Sequence, residues 1–170
     1  MSRELRRWSV AGGLIEHDDK LLLVKNVRKD GRIDWTPPGG VIDDSDPTTE
    51  TGLTREVFEE TGLAVSSWTG PIYTVDVSAL EMGWEMRCNV YVGRGFSGEI
   101  SIDDPDGIVV EARWVPLDEI PQFIRSAPPW VRGPLSTWTE TRHSELQHHQ
   151  YRLSGRRPGP HSIQRVHPDE

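Results

Sequence analysis

The sequence predicts a mixed α/β fold, a mixed β-sheet with helices on its faces. Three observations predict it. Apolar-rich runs of strand length, punctuated by turn residues, fill residues 8–27 and 72–93. Residues 47–61 switch to a helical pattern with a start and a stop signal. Strand-like and helix-like segments then alternate along the chain, the order expected of layered α/β domains.

Each element has its own signal. Residues 8–16 and 20–27 flank His17-Asp18-Asp19, a turn composition, and are expected to pair as a hairpin. Asp30-Gly31 breaks the chain. Residues 35–40, Trp-Thr-Pro-Pro-Gly-Gly, read as a short extended piece, because proline disfavours helix at itself and at the residue before it. Asp46 is the expected N-cap of the helix over 47–61, Pro47 its first residue and Gly62 its stop. Residues 72–80 and 84–93 form a second hairpin around Glu81-Met82-Gly83. Residues 109–115 read as a strand, 117–125 as a short helix, and 129–150 as partly helical with a break near Gly133-Pro134.

The length of 170 residues suits one domain with an extra element at one end. Residues 1–132 carry 14 basic and 23 acidic groups and form the expected catalytic domain. Residues 133–170 carry 5 basic groups, 4 acidic groups and five of the six histidines, and are expected to be a helical or flexible C-terminal extension. His143, His148 and His149 are read as a solvated helix end rather than a metal site. Residues 155–170 are polar and proline-rich, so weak order is expected there. The net charge of −8 argues against a nucleic-acid binder, since phosphate backbones attract basic surfaces. It leaves room for a phosphorylated small molecule if a cation sits between. No apolar run is long enough to span a membrane, and residues 1–8 show no signal-peptide pattern. Cys88, the single cysteine, has no internal disulfide partner, so a cytoplasmic location is expected.

The chemistry is concentrated in residues 39–63. Glu56, Glu59 and Glu60 fall within about a 100° arc of one helix. Three carboxylates on one face repel one another, and a hard divalent cation such as Mg²⁺ would offset that repulsion. Arg55 stands four residues before Glu59, where it can pair with it. Leu53, Val57 and Phe58 supply the apolar side. Gly52 lies one turn before Glu56, and a close approach by Gly39-Gly40 would explain a glycine there.

Arg55-Glu56-Val57-Phe58-Glu59-Glu60-Thr61-Gly62-Leu63, with Gly40 ahead of it, resembles the signature of the Nudix hydrolase family. A weaker likeness extends over residues 8–125. The resemblance implies a Nudix-type α/β/α sandwich, with its catalytic helix after the Gly-Gly loop and a C-terminal helical extension. It implies a hydrolase cleaving the diphosphate linkage of a nucleoside diphosphate derivative or a nucleoside triphosphate through a metal-activated water. Mg²⁺ is the implied cofactor, with Mn²⁺ as a substitute. Glu56, Glu59 and Glu60 match the family's metal-site positions, Glu59 also as a water-holding residue, and Arg55 is expected to orient Glu59. Two departures stand out. The signature's early Glu is replaced by Asp46 with one extra residue before Arg55, and the usual small Ala is Gly52.

The general base is left between a signature Glu and a late acid. The late candidates are Asp103, Asp104 and Asp106, which also have a turn composition, and Glu111. Gly39 and Gly40 are the expected phosphate approach, and Trp35, Tyr73 and Trp84 are aromatic candidates for stacking a base. The partner is a small-molecule nucleotide, without nucleic acid or membrane, and a homodimer is left open. Two alternatives are carried. An isopentenyl diphosphate isomerase would need a reactive cysteine motif that Cys88 does not match. A catalytically inactive Nudix-like nucleotide sensor would be expected to have lost part of its glutamate set.

Overall fold

Leu21, Leu22 and Leu23 are consecutive and fully buried, yet they belong to two different cores. Successive side chains of a strand point to opposite faces, so strand β3 (Lys20–Val27) has a core on each side. The computed structural model describes residues 4–156 and 163–166.

Strands β1 (Arg6–Leu14) and β2 (Glu16–His17) precede β3, and β4 (Ile33–Thr36) and β5 (Gly39–Val41) follow it. Helix α1 covers Thr49–Thr61. Strands β6 (Ala64–Ala79) and β7 (Trp84–Ser97) form a long hairpin. Strand β8 (Val109–Pro116), a string of short turns with α2 (Ile120–Phe123), helix α3 (Pro129–Thr141), β9 (Gln147–Leu153) and β10 (Ile163–Val166) complete the chain. Six strands form one sheet in the order β10-β9-β6-β7-β1-β5, and β2, β3, β4 and β8 form a second. The large sheet is mixed: β1 runs parallel to β7 and β9 parallel to β6, while its other pairs are antiparallel. The mixed α/β class expected from the sequence is the class found.

The first expected hairpin shrinks to two pairs, Glu16↔Leu21 and His17↔Lys20. β1 turns away into the large sheet, where nine of its residues pair with β7. Parallel pairing with a distant strand leaves no local turn signal. The C-terminal segment also departs from the helical expectation. α3 runs through Gly133-Pro134 without a break, and residues 147–153 form a strand hydrogen-bonded to β6. The period-two burial of β9 is the physical reason: His149, Tyr151 and Leu153 face the core, and His148, Gln150 and Arg152 face outward. The expected weak order over 155–170 meets a short strand at β10; residues 157–162 and 167–170 lie outside the described residues.

The larger core lies between the two sheets, α2 and α3. The smaller one joins α1, through Leu53 and Val57, to Ala11, Leu22 and Tyr91. α1 is thereby pressed against β1 and β5, which brings its carboxylates to the β5 edge.

Candidate active site

Helix α1 begins two residues later than the sequence suggests. Thr48, not Asp46, is its N-cap, with the Thr48 hydroxyl accepting from the Thr51 N–H at 3.1 Å. Asp46 takes another role, accepting from Arg55 Nη2 at 3.1 Å and from the Asp43 N–H at 2.9 Å. The extra loop residue is absorbed here. Arg55 holds its carboxyl below the usual carboxylate range. Gly52 is explained by this loop rather than by Gly39-Gly40, because a Cβ at Gly52 would stand 2.7 Å from Asp46 Oδ2 and 2.9 Å from Ile42 Cδ1. At the other end Gly62 adopts φ 80°, its N–H bonding to Phe58, as the expected stop.

Arg55 does more than orient Glu59. Its Nη1 donates to Glu56 Oε1 at 3.1 Å and to Glu59 Oε2 at 3.5 Å, while its other end holds Asp46. Glu60 is the most enclosed of the three glutamates, with 9% of its surface exposed. Its Oε2 accepts from the Gly39 N–H at 3.0 Å. Burial pushes its pKa up to about 8, with the negative charges of Glu56, Asp104 and Glu59 adding to the rise. Burial also raises Glu56, against the pull of Arg55. Gly40 lies over this pair: a Cβ there would stand 2.6 Å from Glu56 Oε2. The Gly-Gly strand is thus a backbone wall against the glutamates, and only glycine fits.

A second set of acids comes from the loop before β8. Its backbone is tied to the end of α1, with the Ser101 N–H to Thr61 O at 2.8 Å and the Asp103 N–H to Glu59 O at 3.1 Å. Asp104 is occupied as a turn residue, accepting from the N–H groups of Asp106, Ile108 and Val109. Asp106 lies close enough to raise Glu56. Glu111 is not brought to this cluster. Its partner in register is Lys25, on the face of β3 and β8 opposite α1, and it pairs with Arg113 at 3.0 Å. Strand parity overturns the idea of Glu111 as the base.

The three aromatic candidates separate. Tyr73 is a core residue, 3% exposed and packed edge-on against His149, and its burial overturns a stacking role. Trp35 meets Phe123 edge-to-face at 5.3 Å, with the Arg113 guanidinium 5.4 Å from its ring. Trp84 lines an open cavity of about 960 Å³ with Trp8, Met82 and Arg6. Trp8, exposed near the start of β1, lines the same cavity, because the parallel pairing of β1 with β7 sets Arg6 opposite Trp84 and Trp8 opposite Met86, a register that left no signal in the sequence.

The donor set is all oxygen, suited to Mg²⁺ or Mn²⁺. A buried carboxylate whose ionisation is opposed by its neighbours needs a proton or a cation. Among the described residues no three acidic, histidine or cysteine side chains already stand in ligating arrangement; the Arg55 guanidinium bridges Glu56 and Glu59. The residues fit a divalent ion in chemistry and in electrostatic need, with Glu56, Glu59 and Glu60 to hold it.

The NUDIX domain profile matches residues 5–136. A MutT-like protein of Streptomyces ambofaciens is 45% identical over 64 residues, 38% of this chain and 39% of that protein. The chain's matches span about two fifths of the length of its curated relatives. The crystal structure of a MutT NUDIX hydrolase from Burkholderia pseudomallei is similar over 77% of this chain and 97% of that one, with 29% identity and a TM-score of 0.64. A NUDIX hydrolase from Nitrosomonas europaea shares the fold over 83% of this chain and 93% of its own, at 22% identity and a TM-score of 0.66.

Proposed function

The chain belongs to the NUDIX family, and on that premise we propose that it is a Mg²⁺-dependent hydrolase of a nucleotide's phosphoric anhydride bond, with a nucleoside triphosphate or a nucleoside diphosphate derivative as substrate. The observation that carries this reading is Glu60, a buried carboxylate fixed by the Gly39 N–H beside Glu56, with its charge opposed by its neighbours. Mg²⁺, when bound, neutralises diphosphate oxygens and makes a water more acidic.

The chain's own groups do the rest. Glu56, Glu59 and Glu60 supply the negative charge that holds the ion. Arg55 fixes the positions of Glu56 and Glu59 and is itself anchored by Asp46. Gly39 and Gly40 keep side chains out of the space the phosphates approach. Glu59, the most open of the three glutamates, is placed to take the proton of the attacking water, and Asp106 is the second candidate. The cavity bearing Trp8 and Trp84 suits a nucleobase, and Trp35, half-buried beside Arg113, is the second aromatic candidate.

The proposed reaction acts on a small-molecule nucleotide and uses neither nucleic acid nor membrane. No described helix is long and apolar enough to cross a membrane. A cytoplasmic setting is proposed on the single cysteine, Cys88, which has no partner for an internal disulfide. The test is a panel of nucleoside triphosphates, dinucleotides and nucleotide sugars at pH 7–9, with Mg²⁺, Mn²⁺ or chelator, and products identified by mass spectrometry. Metal-dependent cleavage of at least one is expected. No turnover of any with either ion would sink the reading.

A further inference from the structure

The opposite edge of the large sheet carries a second, open depression, of about 310 Å³, lined by Pro129, Arg132, Gly133, Ser136 and Tyr151. Tyr151 is a core residue of β9, but its hydroxyl comes up against α3, where a Cβ on Gly133 would overlap it. Arg165 of β10, the register partner of Tyr151, reaches the same point, its Nη1 4.0 Å from that Cβ position. Arg132 and Arg165 both lie near enough for their charges to favour ionisation of the Tyr151 hydroxyl, against the burial that opposes it.

The support of Arg165 is unusual in kind. Its Nη2 bonds to Nδ1 of His149 at 2.7 Å. His149 is 4% exposed, and burial holds its pKa down to about 4, so at neutral pH it is an uncharged acceptor. An arginine held by a carboxylate has its charge cancelled. One held by a neutral imidazole is fixed in place with its charge intact. Among the described residues neither Arg132 nor Arg165 pairs with a carboxylate, although the chain's net charge is −8. Two guanidinium forks and two hydroxyls around one depression complement the oxygens of a phosphate. The first turns of α3, which carry Arg132 and Gly133, add the positive end of a helix dipole.

We propose that this depression is a phosphate-binding site held by Arg132, Arg165 and the hydroxyls of Tyr151 and Ser136, separate from the carboxylate cluster. Strands spaced about 4.8 Å apart put the β10 and β5 edges of a six-stranded sheet roughly 24 Å apart. The phosphate can be free or belong to a nucleoside monophosphate, the product class of an anhydride hydrolase. To that extent the biological role rests on the proposed function; the binding itself does not.

Calorimetric titration of the full chain in EDTA, with inorganic phosphate and separately with AMP, tests it. Without metal the carboxylate cluster repels both probes, so binding there does not compete. Saturable binding of at least one probe is expected, and the tighter one identifies the source. Arg132→Gln and Arg165→Gln should each weaken it tenfold or more, and Tyr151→Phe about threefold. Arg87→Gln, which removes an exposed arginine paired with Asp76 on the outer face of the sheet, should leave it unchanged. Circular dichroism checks the fold. If Arg165→Gln loosens β10, Arg132→Gln still decides, since Arg132 projects from α3. Absence of saturable binding, an unchanged affinity in Arg132→Gln, or an equal loss in Arg87→Gln would each overturn the proposal. None of these results depends on whether the chain hydrolyses a nucleotide.

Discussion

At the β5 edge of the large sheet, Glu56, Glu59 and Glu60 crowd the end of α1, with Asp104 and Asp106 close behind. At the β10 edge, Arg132 and Arg165 stand over a tyrosine hydroxyl, and the buried titratable group is His149. Both edges leave charge uncompensated, with opposite sign. They differ in how the charge is tolerated. Glu60 is relieved by taking up a proton, so its pKa rises; His149 is relieved by refusing one, so its pKa falls. The β5 edge is frustrated until a cation arrives. The β10 edge already sits in a low-energy protonation state and only offers a surface. A site that catalyses needs the first arrangement, because the stored repulsion becomes metal affinity.

The largest expected effect breaks the β5 edge with its own helix as control. Glu56→Gln and Glu60→Gln keep size and remove charge. Each should lower kcat a hundredfold or more on whichever nucleotide is turned over, about 2.7 kcal/mol of transition-state stabilisation. Glu50 lies in the first turn of the same helix, exposed and about 120° around from Glu56. Glu50→Gln should change kcat less than about threefold. If all three variants lose activity alike, the acids are a charged helix face and the metal site is misplaced.

The contrast between the edges also explains what could be read in advance. Helix α1 and its glycine stop were legible because spacing within one short segment fixes them; the Gly39-Gly40 approach was expected at Gly52, and it falls at Glu56 and Glu60 instead. Asp46 was misread as a cap because Thr48 and Asp46 both suit that role, and only the fold shows Arg55 reaching back across the loop. The β10 edge was not legible. β9 pairs in parallel with β6, more than seventy residues earlier, and its histidines resemble a solvated tract until alternation buries one of them. Glu111 and Tyr73 failed for a related reason: composition placed them near the chemistry, but strand parity turned one away and buried the other.

The second expected effect concerns stability without metal. Unfolded, Glu60 titrates from 4.5; folded, it titrates near 8. Between those values the unfolded chain gives up the proton while the folded chain keeps it. Stability therefore falls as pH rises through that window, by an amount on the order of several kcal/mol at most. Urea unfolding in EDTA should show this loss, and Mg²⁺ should restore stability at pH 8. Glu60→Gln should flatten the slope and abolish most of the gain from metal. A wild-type slope unchanged by that variant would mean that Glu60 is not the group responsible.

The smallest expected effect comes from the β10 edge and has the opposite sign. Above pH 6.5 His149 is neutral whether the chain is folded or not. As pH falls from 6.5 towards 4 the unfolded imidazole takes up a proton, while the folded one is kept from doing so by burial and by the neighbouring charge of Arg165. Stability at this edge therefore falls as pH falls. Water near exposed His148 and Arg165 screens the charge, so a loss on the order of 1 kcal/mol is expected. The Glu60 and His149 windows overlap between 4.5 and 6.5, so the measurement belongs in the Glu60→Gln background, where the opposing slope is gone. His149→Asn is the informative substitution, because Asn Oδ1 can stand where Nδ1 accepts from Arg165, yet it does not titrate. The double variant should lose the acid-side slope while β10 stays docked, as judged by unchanged amide exchange protection along β9. If the slope survives, His149 is not the group responsible. The two edges would then differ in charge but not in the protonation of their buried groups.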